Sequence, residues 1–194
     1  MNNFKNKINI LLLILSSSLI AHGTFAASPT GTQNISSESL GVSVEQFKAN
    51  FNKLASQIGA PQIKTIKLEN ESKGKSFAIQ MPNNLALTGY TNSNNTLTRL
   101  SVGLDVADIP KADIGAHFQM LGGFAITAIK AIDQNKNDEK RDDAVQSVYE
   151  SLLGDKKTLT TQNTKYKIYK NYKLSAYSHP KLGVVMIGVE LNKR

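Results

Sequence analysis

The chain has 194 residues, of which 23 are Lys or Arg, 15 are Asp or Glu and none is cysteine or tryptophan. The absence of cysteine excludes disulfides, a lipid anchor on an N-terminal cysteine and a thiol nucleophile. The net charge of +8 favours acidic partners, although solubility alone accounts for a charge of this sign and size.

The N-terminal segment 1–26 predicts a secretory signal peptide. A short basic start precedes an apolar run at 8–20, and the small residues Thr24 and Ala26 lie two apart, as a signal peptidase requires. This run is shorter than the roughly 20 residues of a membrane-spanning helix, so cleavage after Ala26 is favoured over an uncleaved anchor. We therefore expect an exported protein, periplasmic or secreted, with no membrane anchor after cleavage. Export without cysteine is typical of a bacterial protein.

Cleavage would remove two lysines and leave six of the eight net positive charges. A charge of this sign suits an acidic protein or an anionic cell-envelope polymer. Only Arg99 and Arg141 precede the terminal Arg194, whereas base recognition depends on the planar forks of arginine side chains. Nucleic acid is therefore not an expected partner.

Residues 27–41 are rich in Ser, Thr, Gly and Asn and predict a flexible linker, followed by a single domain at 42–194. Ser43 and Gln46 have the spacing of a capping box, and apolar residues follow at helical intervals. This pattern predicts a first helix over 44–58.

Between 63 and 104 the period changes to a strict alternation of apolar and polar residues. Turn-forming clusters at 70–74, 82–84 and 92–95 divide the alternating runs. Such a pattern predicts four antiparallel strands in a meander, with one face packed and one face in water.

Asp108 and Pro110 indicate the start of a second helix, which continues through the uncharged stretch 114–129. Gly122 and Gly123 cost this helix about 2 kcal/mol relative to alanine. We expect packing to compensate, with the small residues letting the helix lie close on the sheet.

Asp138 predicts the cap of a third helix that ends at Gly154, and three strands are expected at 166–169, 172–177 and 184–191. The last of these strands is apolar on both faces and should lie inside the sheet. The predicted fold is therefore α+β, a mostly antiparallel sheet with helices packed on one face, in the order α-ββββ-αα-βββ.

Chemical motifs are sparse. His117 and His179 belong to different elements, and the calcium-like loop 133–138 lacks the expected glycine and glutamate, so no metal and no cofactor are predicted. No nucleophile elbow or phosphate loop occurs. A hydrolase would have to use one of these histidines, or carboxylates such as Asp105 and Asp108.

The strongest candidate for a binding site is a stretch in which basic and aromatic residues alternate across a predicted hairpin, with its turn at Lys170 and Asn171. Strand alternation places Lys165, Lys167 and Tyr169 on one face, and Tyr166 and Ile168 on the other. Tyrosine and lysine also serve simply as strand formers and as protection of an exposed edge. The candidate residues are Lys165, Tyr166, Lys167, Tyr169, Lys170, Tyr172 and Lys173.

The scarcity of catalytic groups favours a non-enzymatic binding or inhibitory module of the immunity type, which recognises a protein partner or an anionic cell-envelope polymer. Two alternatives remain open at this stage. One is an exported hydrolase with a carboxylate or histidine site. The other is a carrier of apolar ligands, with a cavity between the 114–132 helix and the sheet.

Overall fold

The structure is a computed structural model and describes residues 39–133, 138–154 and 160–192. The predicted signal peptide at 1–26 and most of the predicted linker lie outside these residues. Among the helices described, none is both long and apolar enough to cross a membrane.

The described part of the chain forms three helices and seven strands in the predicted order, which confirms the α+β fold class. The helices are α1 (Val44–Gln57), α2 (Ile114–Ile132) and α3 (Glu139–Leu153). The strands are β1 (Glu69–Glu71), β2 (Gly74–Gln80), β3 (Leu85–Thr91), β4 (Leu97–Asp105), β5 (Asn163–Tyr169), β6 (Tyr172–His179) and β7 (Val184–Leu191).

All seven strands pair antiparallel in one sheet, in the spatial order β1-β2-β3-β4-β7-β6-β5. The last strand in the sequence, β7, therefore lies in the interior between β4 and β6. Its first six residues are buried on both faces, which confirms the prediction made from its unbroken apolar run. The two ends of the sheet are β1 and β5.

The capping box at the start of α1 forms as predicted. The Ser43 hydroxyl accepts a hydrogen bond from the Gln46 amide at 3.1 Å, and the Gln46 side-chain oxygen accepts one from the Ser43 amide at 3.0 Å. The packed domain also includes Leu40, which was assigned to the linker. Its side chain is buried, and its amide donates to the Leu97 carbonyl at 2.6 Å.

The first strand lies later than the alternation indicates. Ile66 and Leu68 are outside any strand, although both are partly buried against the core. The strand forms instead where Gly74, with a φ of 113°, permits a tight turn that pairs Asn70 with Lys75. The alternation at 66–68 reflects partial burial and not strand pairing.

Helix α2 begins at Ile114, because turns occupy 107–113, where Asp108 and Pro110 indicated its start. Gly122 faces the Tyr149 ring of α3, and a β-carbon there would meet that ring at 3.5 Å. Gly123 is exposed, with no atom near its missing β-carbon. The glycine pair predicted a close contact between α2 and the sheet. The close contact observed is instead between Gly122 and α3, and Gly123 takes no part in it.

The sheet has two chemically different faces. The inner face packs against the helices, with Leu87, Val102, Ile187 and Leu174 in neighbouring strands of one buried cluster. On the other face, here called the outer face, mostly polar and small side chains form cross-strand rows that end at the larger Ile168 and Tyr166 of β5. One such row comprises Tyr90, Arg99, Glu190, Lys173 and Ile168, and the next Thr88, Ser101, Gly188, Ser175 and Tyr166.

Candidate functional site

The candidate residues lie on the β5–β6 hairpin at one end of the sheet. The two-residue turn at Lys170 and Asn171 is present as predicted, and Lys170 has a φ of 52°. The register pairs Tyr169 with Tyr172, so that Lys165 and Lys167 share the inner face with Tyr169. Tyr166 and Ile168 project on the outer face, and the predicted division of the strand into two faces is confirmed.

Three of the seven candidates, Tyr169, Lys170 and Tyr172, fasten the hairpin to the rest of the molecule. The Tyr169 hydroxyl donates to the Asp138 carboxylate and lies 3.3 Å from the Asp133 carboxylate. The Lys170 ammonium lies 2.7 Å from Asp138, and the Tyr172 ring stacks on Tyr169 at 6.4 Å between centroids. We call this group, Asp133, Asp138, Tyr169, Lys170 and Tyr172, the hairpin clamp.

The hairpin clamp corrects the role predicted for Asp138. This residue does precede α3, but its side chain makes no hydrogen bond to the first turn of that helix. Its carboxylate instead accepts from Tyr169 and pairs with Lys170, because the turn of the hairpin lies against the connection between α2 and α3. A cap is a local pattern, whereas this contact joins residues about 31 positions apart.

The charges of the hairpin clamp stabilise one another. Hydrogen bonds from Lys170 and Tyr169 lower the pKa of Asp138 from 3.8 to about 2. Asp138 in turn raises the pKa of Lys170, and burial raises the pKa of Tyr169. At neutral pH Asp138 and Lys170 are therefore both charged, and Tyr169 keeps the proton that it donates to Asp138.

We predict that Asp138→Asn destabilises the protein at neutral pH but not in strong acid. The folded pKa of Asp138 is depressed, so its contribution is present above the ordinary value of 3.8 and disappears as the pH falls toward about 2. The difference in unfolding free energy between wild type and variant should therefore shrink across this window, as urea titrations at several pH values would measure. Asp143→Asn, at an exposed site of α3, is the control; a difference that stays constant with pH would contradict the assignment.

The outer half of the hairpin has a different character, because its large side chains are exposed. Tyr166 is 67% exposed and Ile168 is 43% exposed, and among the described residues only Ile58, at 64%, is a comparable apolar side chain. The Lys173 ammonium lies 5.7 Å from the centre of the Tyr166 ring, within range of a cation–π contact. Of the three large hydrophobic side chains exposed in the described part of the chain, two thus lie two residues apart on one strand.

The lysines of the hairpin differ in how far their charge is compensated. Lys173 lies 3.3 Å from the Glu190 carboxylate, which also receives Arg99 at 2.5 Å, and Lys170 pairs with Asp138. Lys165 is partly buried, whereas Lys167 is exposed and forms no ion pair with any residue in the described ranges. The hairpin is therefore less strongly basic than its sequence suggests.

The groups considered for catalysis have local structural roles. The Asp105 carboxylate is buried and accepts from the Ala107 amide at 3.0 Å, and a His117 ring nitrogen lies 2.9 Å from the Asp113 carbonyl. His179 ends β6 beside the Tyr177 ring. Within the described ranges, no group of three His, Asp or Glu residues could hold a metal ion.

The sequence interpretation missed Arg141, whose side chain is 1% exposed. Its guanidinium donates to the Asp142 carboxylate at 2.9 Å and to the Asp133 carbonyl at 3.1 Å. A signal was present, because Arg141 lies four residues before Val145 on the apolar stripe of α3. Because Asp133 is part of the hairpin clamp, Arg141 also stabilises the connection between α2 and α3 that the hairpin contacts.

Comparison with protein families, with curated proteins and with solved structures finds no match to this chain. The functional argument below therefore uses the fold, the hairpin and the sequence alone.

Proposed function

We propose that the protein is an exported, non-enzymatic module that binds a protein partner through the outer side of the β5–β6 hairpin. The binding surface, here called the hairpin patch, comprises Tyr166, Ile168 and Lys173, which share the outer face. One observation carries the proposal: Tyr166 and Ile168 are both large and exposed, and they project side by side from an edge strand.

Single exposed apolar residues are common and need no explanation, but adjacent ones are characteristic of interfaces. Tyrosine supplies a large contact area with few rotatable bonds and a hydroxyl that can find a partner at the rim. The Lys173 ammonium lies over the Tyr166 ring, at 5.7 Å from its centre. The patch therefore combines an aromatic anchor, an aliphatic neighbour and a polar border, as hot spots in protein interfaces do.

The hairpin clamp supports the same function, because it fixes the position of the patch. Tyr169 and Lys170 attach the turn of the hairpin to Asp138, only one residue beyond Ile168. A surface that is already ordered loses little conformational entropy when a partner binds. The patch is thus prepared for recognition before the partner arrives.

A protein partner fits the patch better than an anionic polymer does. Polymer binding depends on many uncompensated cations, and its strength scales with their number. Here Lys170 and Lys173 are already paired with Asp138 and Glu190, while the exposed apolar area has no role in binding a sugar phosphate. An inhibitory or immunity-type role, in which the module covers a partner's surface, agrees with this chemistry.

The alternatives receive less support from the described residues. A hydrolase needs convergent groups, whereas Asp105 and His117 are each engaged with backbone groups close to them in sequence. A carrier needs a lined cavity between α2 and the sheet, whereas Leu121 and Ala125 of α2 belong to the same buried core cluster as Leu87 and Val102 of the sheet.

The proposal is tested by a matched pair of variants at exposed isoleucines. Purified Ile168→Ser and Ile58→Ser proteins would be immobilised and compared with wild type for capture of partner from an extract of the producing cells. We expect Ile168→Ser to weaken capture about tenfold, because it removes a central apolar contact, and Ile58→Ser to have no effect. Equal capture by all three proteins would exclude the hairpin patch as the binding surface.

A further inference from the structure

The two edges of the sheet differ in length and charge. The β1 edge has three residues, all exposed, and includes Glu69 and Glu71. The β5 edge has seven residues, of which 166–168 are exposed in succession. An edge strand presents unpaired amide and carbonyl groups to which a strand from another chain can be added. Of these two edges of the described sheet, β5 is the one long enough to offer a specific template for such an addition.

The side chains of β5 specify what an added strand must carry. Tyr166 and Ile168 project on the outer face, and Lys167 lies between them on the opposite face. A neighbouring strand places its own side chains beside these in the same alternation. Apolar residues would therefore lie next to Tyr166 and Ile168, and an acidic residue would lie next to Lys167.

The same pattern opposes pairing between two copies of β5. Two antiparallel β5 edges would bring the exposed Lys167 of one copy close to Lys167 of the other, and like charges at such positions are destabilising. The acidic β1 edge is complementary in charge, but its three residues offer little to pair with. Charge complementarity therefore favours a strand from a different protein at the β5 edge over a strand from a second copy of this chain.

From this edge we infer that the partner adds an extended segment to β5, with an acidic residue beside Lys167 and apolar residues beside Tyr166 and Ile168. This inference rests on the proposed function and names the mode of binding at the same patch. Backbone hydrogen bonds supply a general affinity, and the alternating side chains supply the choice of partner.

The test uses synthetic seven-residue peptides of alternating valine and glutamate, with lysine replacing glutamate in a control peptide. Binding to the full-length protein would be followed by NMR shifts and hydrogen exchange of the β5 amides at millimolar peptide. We expect the glutamate peptide to slow exchange of β5 amides and to bind about tenfold more tightly than the lysine peptide. N-methylation of the peptide nitrogens along one edge should abolish binding, and N-methylation along the other should not.

A charge reversal on the protein sharpens the test. Lys167→Glu, at an exposed position, should reverse the preference and bind the lysine peptide more tightly than the glutamate peptide. The Ile58→Ser protein should behave as wild type does. If Lys167→Glu left the order of affinities unchanged, the acidic residue assigned to the partner would be wrong.

Two results would overturn strand addition itself. One is peptide binding that is absent, lies away from β5 or is indifferent to N-methylation on both edges. The other is slow hydrogen exchange of the β5 amides in the free protein, because the edge would then already be paired. If that protection increased with protein concentration, the pairing segment would be a second copy of this chain. If the Ile168→Ser protein still captures less partner than wild type, either result rejects strand addition but leaves the proposed function in place. If the Ile168→Ser protein captures as much partner as wild type, both the proposed function and strand addition are rejected.

Discussion

Phe51→Ala will lower the free energy of unfolding by about 4 kcal/mol, in the range typical of a phenylalanine truncated in a protein core. Phe51 is 0% exposed and contacts the rings of Phe47 and Phe124, at 5.8 and 5.1 Å between centroids. It therefore connects α1 to α2, and its removal leaves a cavity between the two helices. Urea denaturation followed by circular dichroism measures the change.

The control for this prediction is Ile58→Ala, at an exposed position just beyond α1. We expect it to change stability by no more than about 0.5 kcal/mol, as surface substitutions usually do. If Phe51→Ala cost less than about 1 kcal/mol, the packing of α1 on α2 would be incorrect.

Arg141→Ala will cost about 3 kcal/mol or more, because it breaks a buried network from one side. The side chain is 1% exposed, and its removal deprives the Asp133 carbonyl and the Asp142 carboxylate of a donor. Unfolding followed by urea titration measures the loss. A second consequence is weaker support for the connection that holds the hairpin clamp, so hydrogen exchange at the β5–β6 turn should accelerate.

Arg141→Met separates charge from packing at the same position. Methionine retains most of the volume, and the two carboxylates keep cationic neighbours, since Lys130 lies 2.6 Å from Asp142 and Lys170 lies 3.7 Å from Asp133. Removing one partner of a buried ion pair is costly chiefly because the other charge is left uncompensated, and here each carboxylate keeps a lysine beside it. We therefore expect the methionine variant to lose about half as much stability as the alanine variant. Equal losses would mean that the charge alone matters.

The fold was predictable where a sequence pattern reports directly on burial. Except at 66–68, the alternating runs identified the strands; apolar residues at helical intervals identified α1, and the unbroken apolar run 184–191 identified an interior strand. The capping box placed the start of α1 at the observed residue. In each case the pattern of side chains within the segment itself records which of them are buried.

Features that depend on distant residues were not predictable in this way. The side chain of Asp138 was assigned to a helix cap, because the turn of the hairpin that takes its carboxylate lies about 31 residues away. The start of α2 lies at Ile114 and not at 108–110, because a turn segment at 107–113 precedes the helix. Arg141 followed the apolar stripe of α3 but was not assigned to the core, because its buried partners could not be read from the stripe.

The candidate site illustrates both cases. Alternation correctly divided the hairpin into two faces, with Tyr166 and Ile168 apart from Tyr169. The alternation could not indicate which lysine charges are neutralised by a carboxylate, because Glu190 and Asp138 belong to other parts of the fold. A stretch that looks uniformly basic and aromatic is therefore a structural clamp on one side and an exposed patch on the other.

The absence of cysteine makes site-specific cross-linking the most direct test of the claim that this hairpin recognises a protein partner after export. A single Ile168→Cys substitution supplies the only thiol, and Ile58→Cys supplies a matched control at a similarly exposed isoleucine. A thiol-reactive photo-cross-linker that cannot cross the inner membrane would be applied to the intact producing cells. We predict one discrete protein adduct from position 168 and none from position 58; no adduct at 168, or the same adduct at both positions, would contradict the account.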